Sequence, residues 1–342
     1  MMNAPLRVGI AGIGRMGQRH AFNLAHRTLG ANLVAACSPI ASELEWARDK
    51  LGVKNLYGDY KDLLAHPELD AVFLVTPTTL HAEQIIQGLH AGKHVFSEKP
   101  LALNLPDCLR VEEEAARYSS QKVMIGFVRR FDPSYRDAYA KVEAGAIGRP
   151  FLVRSQTADQ NDPSGFFVKF APTSGGAMLD MCVHDIDVAR WFLGAGAAVR
   201  VYAAGTIAIH EGLAQCGDVD NGVAICEFSD GQIACFYASR TMAHGHETLS
   251  EIIGTRGRLT VGQNPRLDRV EISDAQGVRN ECTPTFYERF AEAFQLEAQA
   301  FVDAVLGDLP VPVTLRDATE ATRIGIALTQ SLGSGRAVDI NS

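Results

Sequence analysis

One glycine spacing near the N-terminus limits what this chain can fold into more than any other feature. Leu6 to Ala11 is a short apolar run, and it leads into Gly12-Ile13-Gly14-Arg15-Met16-Gly17, after which Gln18 to Thr28 can continue as a helix. Strand, G-x-G-x-x-G, helix is the order in which glycines let the backbone approach a pyrophosphate at a helix N-terminus. The six loop residues, Gly12, Ile13, Gly14, Arg15, Met16 and Gly17, are therefore expected to contact a dinucleotide. A second buried strand, Leu33 to Cys37, arrives roughly twenty residues later, where such folds place the group that reads the adenosine ribose. Ser38 stands at that place.

The alternation continues with helices at Ser42–Leu51 and Tyr60–Ala65, a strand at Ala71–Thr76, a helix at Leu80–His90, a strand at His94–Ser97, a helix at Leu105–Tyr118 and a strand at Val123–Val128. Strands separated by helices predict an α/β Rossmann domain with a doubly wound parallel sheet over residues 1–128. Ligands of such sheets lie beyond the carboxyl ends of strands. Thr76, Pro77 and His81 follow one such end, and Glu98 and Lys99, just before Pro100, follow another. A lysine at that position can hold a substrate hydroxyl.

From Arg129 the rhythm changes. A helix at Pro133–Glu143 and a strand at Phe151–Thr157 precede a succession of β-rich runs at 199–209, 222–228, 232–239, 248–254 and 258–261, and amphipathic helices near 287–306 and 316–332 finish the chain. This predicts a second, α+β domain over 129–342, a mixed or antiparallel sheet with helices on one face. Asp230-Gly231 reads as a two-residue hairpin loop, which places Cys226 directly opposite Cys235.

Between these strands lies Ser174 to Gly194, SGGAMLDMCVHDIDVARWFLG, whose apolar spacing predicts a helix ending at Gly194. It carries Asp180 and His184 at i and i+4, where a carboxylate and an imidazole share a face and influence each other's proton affinity. A core histidine bonded to an aspartate, or a solvated or metal-binding cluster of Asp180, Asp185 and Asp187, would use the same residues.

Composition narrows the partners. With 32 basic against 40 acidic residues the net charge is −8 and no basic run is present, which argues against nucleic acid or an anionic membrane and for a small molecule. No apolar run is long enough to span a bilayer, and the start of the chain has no signal-peptide layout, so a cytoplasmic protein is expected. The seven cysteines, odd in number and without a C-x-x-C pair, fit reduced thiols and no metal site.

Taken in order, GIGRMG, VTPTTLHA, SEKP and GGAMLDMCVHDIDVARWFLG make the chain resemble the Gfo/Idh/MocA family of NAD(P)-dependent oxidoreductases over nearly its whole length. Within it, Gly126 to Tyr135 and the DMCVHDIDVARW segment look most like inositol 2-dehydrogenases, which points to a cyclic polyol or related sugar. The resemblance implies that Lys99, Asp180 and His184 form the catalytic set, that Arg129 and Asp159 line the substrate pocket, that the peptide before Pro100 is cis, and that protomers pair through the C-terminal sheet as a homodimer or homotetramer. The chemistry agrees: oxidising a CHOH group needs a base for the hydroxyl proton, a role His184 suits near neutrality, with Asp180 fixing its tautomer and Lys99 stabilising the developing alkoxide.

Two segments depart from the family pattern. Cys37-Ser38-Pro39 replaces the usual aspartate after the second strand, and His244-Gly245-His246 stands where many relatives place a substrate-facing tyrosine, so His244 and His246 become candidate substrate contacts. Without the aspartate nothing repels a 2′-phosphate, and Ser38 offers it a hydroxyl donor; yet no arginine or lysine lies between Val34 and Glu45, and Arg15 is the nearest candidate. NADP or NAD is expected, with a slight lean to NADP. A sugar-modifying enzyme that uses NAD transiently and a non-catalytic dinucleotide-binding regulator are the alternatives.

Overall fold

The structure, a computed structural model, describes residues 4–340 apart from 195 and 264. It divides into two compact units, one formed by the chain up to Phe131 together with Glu292–Thr322, the other by Asp132–Ala291 together with the chain from Arg323 onwards.

The first unit is built on strands β1 (Leu6–Ala11), β2 (Ala31–Cys37), β3 (Asn55–Tyr57), β4 (Ala71–Leu74), β5 (His94–Glu98) and β6 (Val123–Gly126). They form a parallel sheet in the order β3-β2-β1-β4-β5-β6, the doubly wound arrangement expected. Helices α1 (Arg15–His26), α2 (Ala41–Leu51), α3 (Tyr60–Leu64), α4 (Thr78–His90) and α5 (Leu105–Arg117) connect them. Central strands such as β4 are buried at every residue, which is why they read as unbroken apolar runs. The three-residue β3 has no buried position and left no comparable signal.

The expected boundary at residue 128 is crossed by a returning segment. Helix α10 (Ala291–Leu306) belongs with the first unit, where Phe301, fully buried, sets its ring edge-on to Phe73 at 5.3 Å and to Phe96 at 6.0 Å. Phe73 and Phe96 stack on each other at 4.4 Å. A boundary drawn where the β/α rhythm stops cannot register a helix that returns some 160 residues later to cover exposed rings.

In the second unit, Asp132 accepts hydrogen bonds from the N–H groups of Ser134 (3.0 Å) and Tyr135 (3.1 Å) and, with Pro133 next to it, starts α6 (Pro133–Glu143). The strands β7 (Pro150–Gln160), β8 (Ala198–Thr206), β9 (Asn221–Phe228), β10 (Ile233–Met242), β11 (Glu247–Gly254), β12 (Gly257–Val261) and β15 (Val338–Asp339) form a mixed sheet in the order β12-β11-β7-β10-β9-β8-β15. Of these neighbours β7 and β10 run parallel and the others antiparallel. A small hairpin, β13 (Ile272–Asp274) with β14 (Gly277–Arg279), stands apart. Helices α7 (Phe166–Ser174), α8 (Cys182–Leu193) and α9 (Phe286–Arg289) complete the unit with the C-terminal part of α11 (Leu315–Ser334). Residues of β9 alternate between buried and exposed, so one face of the sheet is covered. The other shows Val223 (55% exposed), Ile225 (44%) and Tyr202 (44%).

The hairpin between β9 and β10 differs from the two-residue loop expected. Phe228 N–H donates to Gln232 O at 3.0 Å, Gly231 N–H donates to Phe228 O at 2.9 Å, and Gly231 takes φ +80°, giving a three-residue loop closed by a left-handed glycine. The register therefore slips by one, pairing Ala234 with Cys226 and Cys235 with Ile225. A one-residue slip reverses faces, so Cys226 is buried under the helices while Cys235 lines a groove on the open face. Burial pushes the Cys226 thiol up to about 12.

Two outcomes follow from this packing. Peptide mapping after mild oxidation of native protein should find no Cys226–Cys235 disulfide; a substantial yield of that link would show the two-residue register instead. Phe301→Ala should destabilise the first unit by about 3–5 kcal/mol in denaturant unfolding, the usual range for emptying a buried aromatic site, and a change under 1 kcal/mol would show that α10 is not part of its core.

Candidate active site

The glycine loop after β1 folds back on itself. A Cβ built on Gly12, at φ +88°, would lie 2.4 Å from Val75 O, and one on Gly17 would lie 1.9 Å from Gly12 O, so both positions exclude any side chain. Gly14 is different: its nearest neighbour would be Glu43 Oε1 at 3.7 Å, leaving an open approach to the backbone. Helix α1 starts there with no side-chain cap and no acidic residue in its first turn, so the positive end of its dipole is kept for an anion. Ile13 is buried in the loop and Arg15 is exposed.

Ser38, at the end of β2, is 1% exposed, and its hydroxyl is committed within the protein. Its Oγ donates to Glu43 Oε2 at 2.5 Å and accepts from Ile40 N–H at 3.1 Å. The carboxylate missing after β2 is thus supplied five residues on, from the first turn of α2, beside Gly14.

At the end of β4, Thr76 Oγ1 donates to Gln84 Oε1 at 2.6 Å and Pro77 precedes α4. His81, expected to touch the cofactor, is instead 1% exposed and clamped by the backbone, with Nδ1 2.8 Å from Pro100 O and Nε2 2.8 Å from Thr76 O. Burial holds its pKa below the usual histidine value against the pull of those carbonyls. It ties together the strand ends that carry Thr76 and Lys99. The Lys99–Pro100 peptide is cis, as the resemblance implied. Glu98 accepts from Lys99 N–H at 3.1 Å through Oε2, and its Oε1 lies 2.8 Å from His20 Nε2. Burial opposes its charge, but the hydrogen bond from His20 and the charges of His20 and Lys99 outweigh it and keep Glu98 below the usual carboxylate range. Arg129, in the one-turn helix Val128–Phe131, is 2% exposed.

In the second unit the helix expected from Ser174 to Gly194 is broken. After α7 come Gly175 and Gly176, both left-handed (φ +86° and +77°), then a π-helical turn, Ala177–Met181, and only then α8. Asp180 therefore lies in the wide turn and His184 in the regular helix, so they do not share one regular helical face; single π turns of this kind recur at functional sites. Asp218 caps the turn by accepting Ala177 N–H at 2.9 Å. Helix α8 is fixed to β7 by Asp185, fully buried, which accepts Ser155 Oγ and Thr157 Oγ1 at 2.6 Å each. Asp185 is thus a structural tie, and Asp187 is buried with it.

Asp180 faces a buried cation. Arg240, 1% exposed, places Nη1 2.8 Å from Asp218 Oδ2 and Nη2 3.8 Å from Asp180 Oδ2, with its guanidinium 5.3 Å from the Phe167 ring centre. A guanidinium so deeply placed needs both carboxylates, and it draws Asp180 into a defined position. The structure also brings Asp159 and His246 together, Oδ1 to Nδ1 at 2.9 Å, with the ring 2% exposed and edge-on to Phe286 and Phe290. His244 stays at the surface, 3.2 Å from Glu247. Glu43, Asp218 and Arg240 were not anticipated. Glu43 had a signal, an acid in the first turn of the helix after β2; Arg240 showed only as a charge interrupting the apolar pattern of β10.

Known proteins share both halves of this arrangement. Residues 6–127 match the oxidoreductase family with an NAD-binding Rossmann fold, and residues 135–260 match the GFO/IDH/MocA C-terminal domain. The chain is 37% identical to the scyllo-inositol 2-dehydrogenase (NAD(+)) of Bacillus subtilis, over 99% of this chain and 98% of that protein. It is 33% identical to the myo-inositol 2-dehydrogenase of Thermotoga maritima over 98% of each. In backbone it resembles the scyllo-inositol dehydrogenase of Lactobacillus casei, solved with NAD(H) and scyllo-inositol bound, with a TM-score of 0.95 and 39% identity over 99% of this chain and 100% of that one. Matched in both halves and along its length, the chain belongs to the Gfo/Idh/MocA family of oxidoreductases.

Proposed function

We propose that the protein is an inositol dehydrogenase that oxidises a ring hydroxyl of scyllo-inositol or a close cyclic polyol, with NAD as the preferred acceptor. The observation that carries this reading is its full-length likeness, in sequence and backbone, to an inositol dehydrogenase that holds both NAD(H) and scyllo-inositol. The residues present suit the cofactor: Gly14 leaves an open backbone approach, α1 offers an uncapped N-terminus, and Glu43 stands by the loop. When bound, NAD accepts the hydride from the CHOH carbon.

Each unit contributes its own groups. In the first, residues 12–17, Ser38, Thr76, Pro77 and Glu98 surround the cofactor position, and Lys99 is assigned the stabilisation of negative charge developing on the substrate oxygen. In the second, His184 is assigned the hydroxyl proton and Asp180, steadied by Arg240, the orientation of that imidazole. The paired Asp159 and His246 offer an acceptor and a ring nitrogen to polyol hydroxyls, as Arg129 of the first unit offers donors. The second unit also serves self-association, as dimer or tetramer. Its open sheet face carries Tyr202, Val223, Ile225, Tyr237 and Leu249 around one groove, an apolar surface that a second copy can cover. All seven cysteines are free, and among the described residues no helix is long and apolar enough to cross a membrane; the first fact supports a cytoplasmic setting.

The choice between NAD and NADP rests on Glu43. Ser38 alone leaned towards NADP, but its hydroxyl is held by a carboxylate that can accept the ribose hydroxyls and repel a 2′-phosphate. Glu43→Gln should weaken NAD and strengthen NADP in calorimetric titrations, moving the ratio of their dissociation constants by about tenfold or more, since hydrogen bonds to charged groups are worth roughly 1.5–3 kcal/mol. An unchanged ratio would remove Glu43 from the ribose site.

His184→Ala should lower kcat with scyllo-inositol by about 10²-fold or more while NAD still binds with nearly wild-type affinity, because the base is lost and the glycine loop is not. Activity within a few-fold of wild type would make His184 structural.

A further inference from the structure

The first unit contains a buried acid that the proposed reaction does not use. Glu297, on α10, is fully buried, and neither carboxylate oxygen has a hydrogen-bond partner among the described residues. One oxygen of Glu297, one of Glu98 and a ring nitrogen of His20 all lie within 4.8 Å of one another. The two carboxylates converge on Gly126, where an added Cβ would stand 3.4 Å from Glu297 Oε1 and 3.5 Å from Glu98 Oε2. Around His20 are the rings of Phe73, Phe96 and Phe294, with centres 6.2, 5.5 and 5.6 Å from its own.

Two carboxylates this close in an aromatic pocket cannot both be charged unless a cation or a proton lies between them. A divalent metal would have to engage His20 and both carboxylates at once and replace the contact of 2.8 Å between His20 Nε2 and Glu98 Oε1. A proton needs no such rearrangement.

We propose that Glu297 is a positioning residue: as a neutral carboxylic acid it donates its proton in a hydrogen bond to Glu98, and so holds Glu98 against His20 and against the Lys99 backbone. Glu98 carries the link: one of its oxygens lies within 4.8 Å of one of Glu297, and its Oε2 accepts the Lys99 N–H at 3.1 Å. That role rests on the reading of Lys99 as the group that meets the substrate oxygen. The electrostatics run the same way. Burial, then the charge of Glu98, raises the Glu297 carboxyl well above its usual range, while Glu98 stays ionised through His20 and Lys99. A carboxyl raised in the folded state binds a proton that the unfolded chain releases at a lower pH. Its contribution to stability is therefore complete below the unfolded value and is lost as pH rises through the folded one.

Infrared difference spectra of wild type against Glu297→Gln, in the absence of substrate and cofactor, test the proton directly. The wild type at neutral pH is expected to show the carbonyl stretch of a protonated carboxylic acid that the variant lacks. The glutamine keeps a donor at this place, so it should hold kcat within about threefold, whereas Glu297→Ala should lower kcat by roughly tenfold or more through displaced Lys99. The thermal midpoint of wild type relative to Glu297→Gln should fall as pH rises above the ordinary carboxylate range, whereas a purely space-filling role predicts a constant difference. Absence of the protonated band, equal rates for the glutamine and alanine variants, or a divalent cation found in stoichiometric amount by elemental analysis would each overturn the proposal. The infrared result does not depend on which polyol is oxidised, so it separates failure here from failure of the substrate reading. If the alanine variant does not fold, wild type and glutamine variant still decide.

Discussion

The contact between Gly17 and the carbonyl of Gly12 governs the first unit. With only 1.9 Å available to a Cβ, the loop can close this tightly only because Gly17 has no side chain. That closure starts α1 directly beneath the end of β1, and one and a half turns along α1 brings His20 to the far side of the sheet's end, 2.8 Å from Glu98. Glu98 in turn receives the Lys99 N–H. A backbone approach required by phosphate chemistry thus also sets the position of a lysine eighty residues away in sequence.

The second unit uses a different means to the same end. Its helix α8 is tied to β7 by hydroxyls of Ser155 and Thr157 that converge on Asp185, next to His184. Asp180 is steadied separately, by Arg240 and Asp218 from beyond the π turn. Holding the two residues by independent networks lets each keep its own orientation, which a continuous helix would not allow. Buried ion pairs of this sort add little net stability, but removing one member leaves an uncompensated charge, so they resist drift.

Much of this was legible in the sequence because it depends on local rules. The glycine loop, the order of the parallel strands and the residues at their carboxyl ends follow from period and spacing over a few dozen residues. What escaped depends on contacts distant in sequence or on a single residue's conformation. Gly231 closing a three-residue loop moved Cys235 to the other face, and nothing in Asp230-Gly231 distinguishes the two loops. His81 looked like a cofactor contact because it follows a strand end, yet both ring nitrogens are taken by Thr76 and Pro100. Glu43 lies five residues beyond Ser38, and only the placement of the first turn of α2 brings its carboxylate back to that hydroxyl.

The return of Glu292–Thr322 to the first unit has a consequence for how the molecule is made. On the ribosome, all six strands of the parallel sheet emerge before residue 130, but Phe73 and Phe96 acquire the ring of Phe301 only after some 170 further residues are synthesised. At about 5–20 residues per second that is a delay of roughly ten to thirty seconds. Throughout it the nascent sheet carries an uncovered aromatic face, a binding surface for chaperones and a route to misassembly. The parallel sheet is complete as a topology long before it is complete as a core.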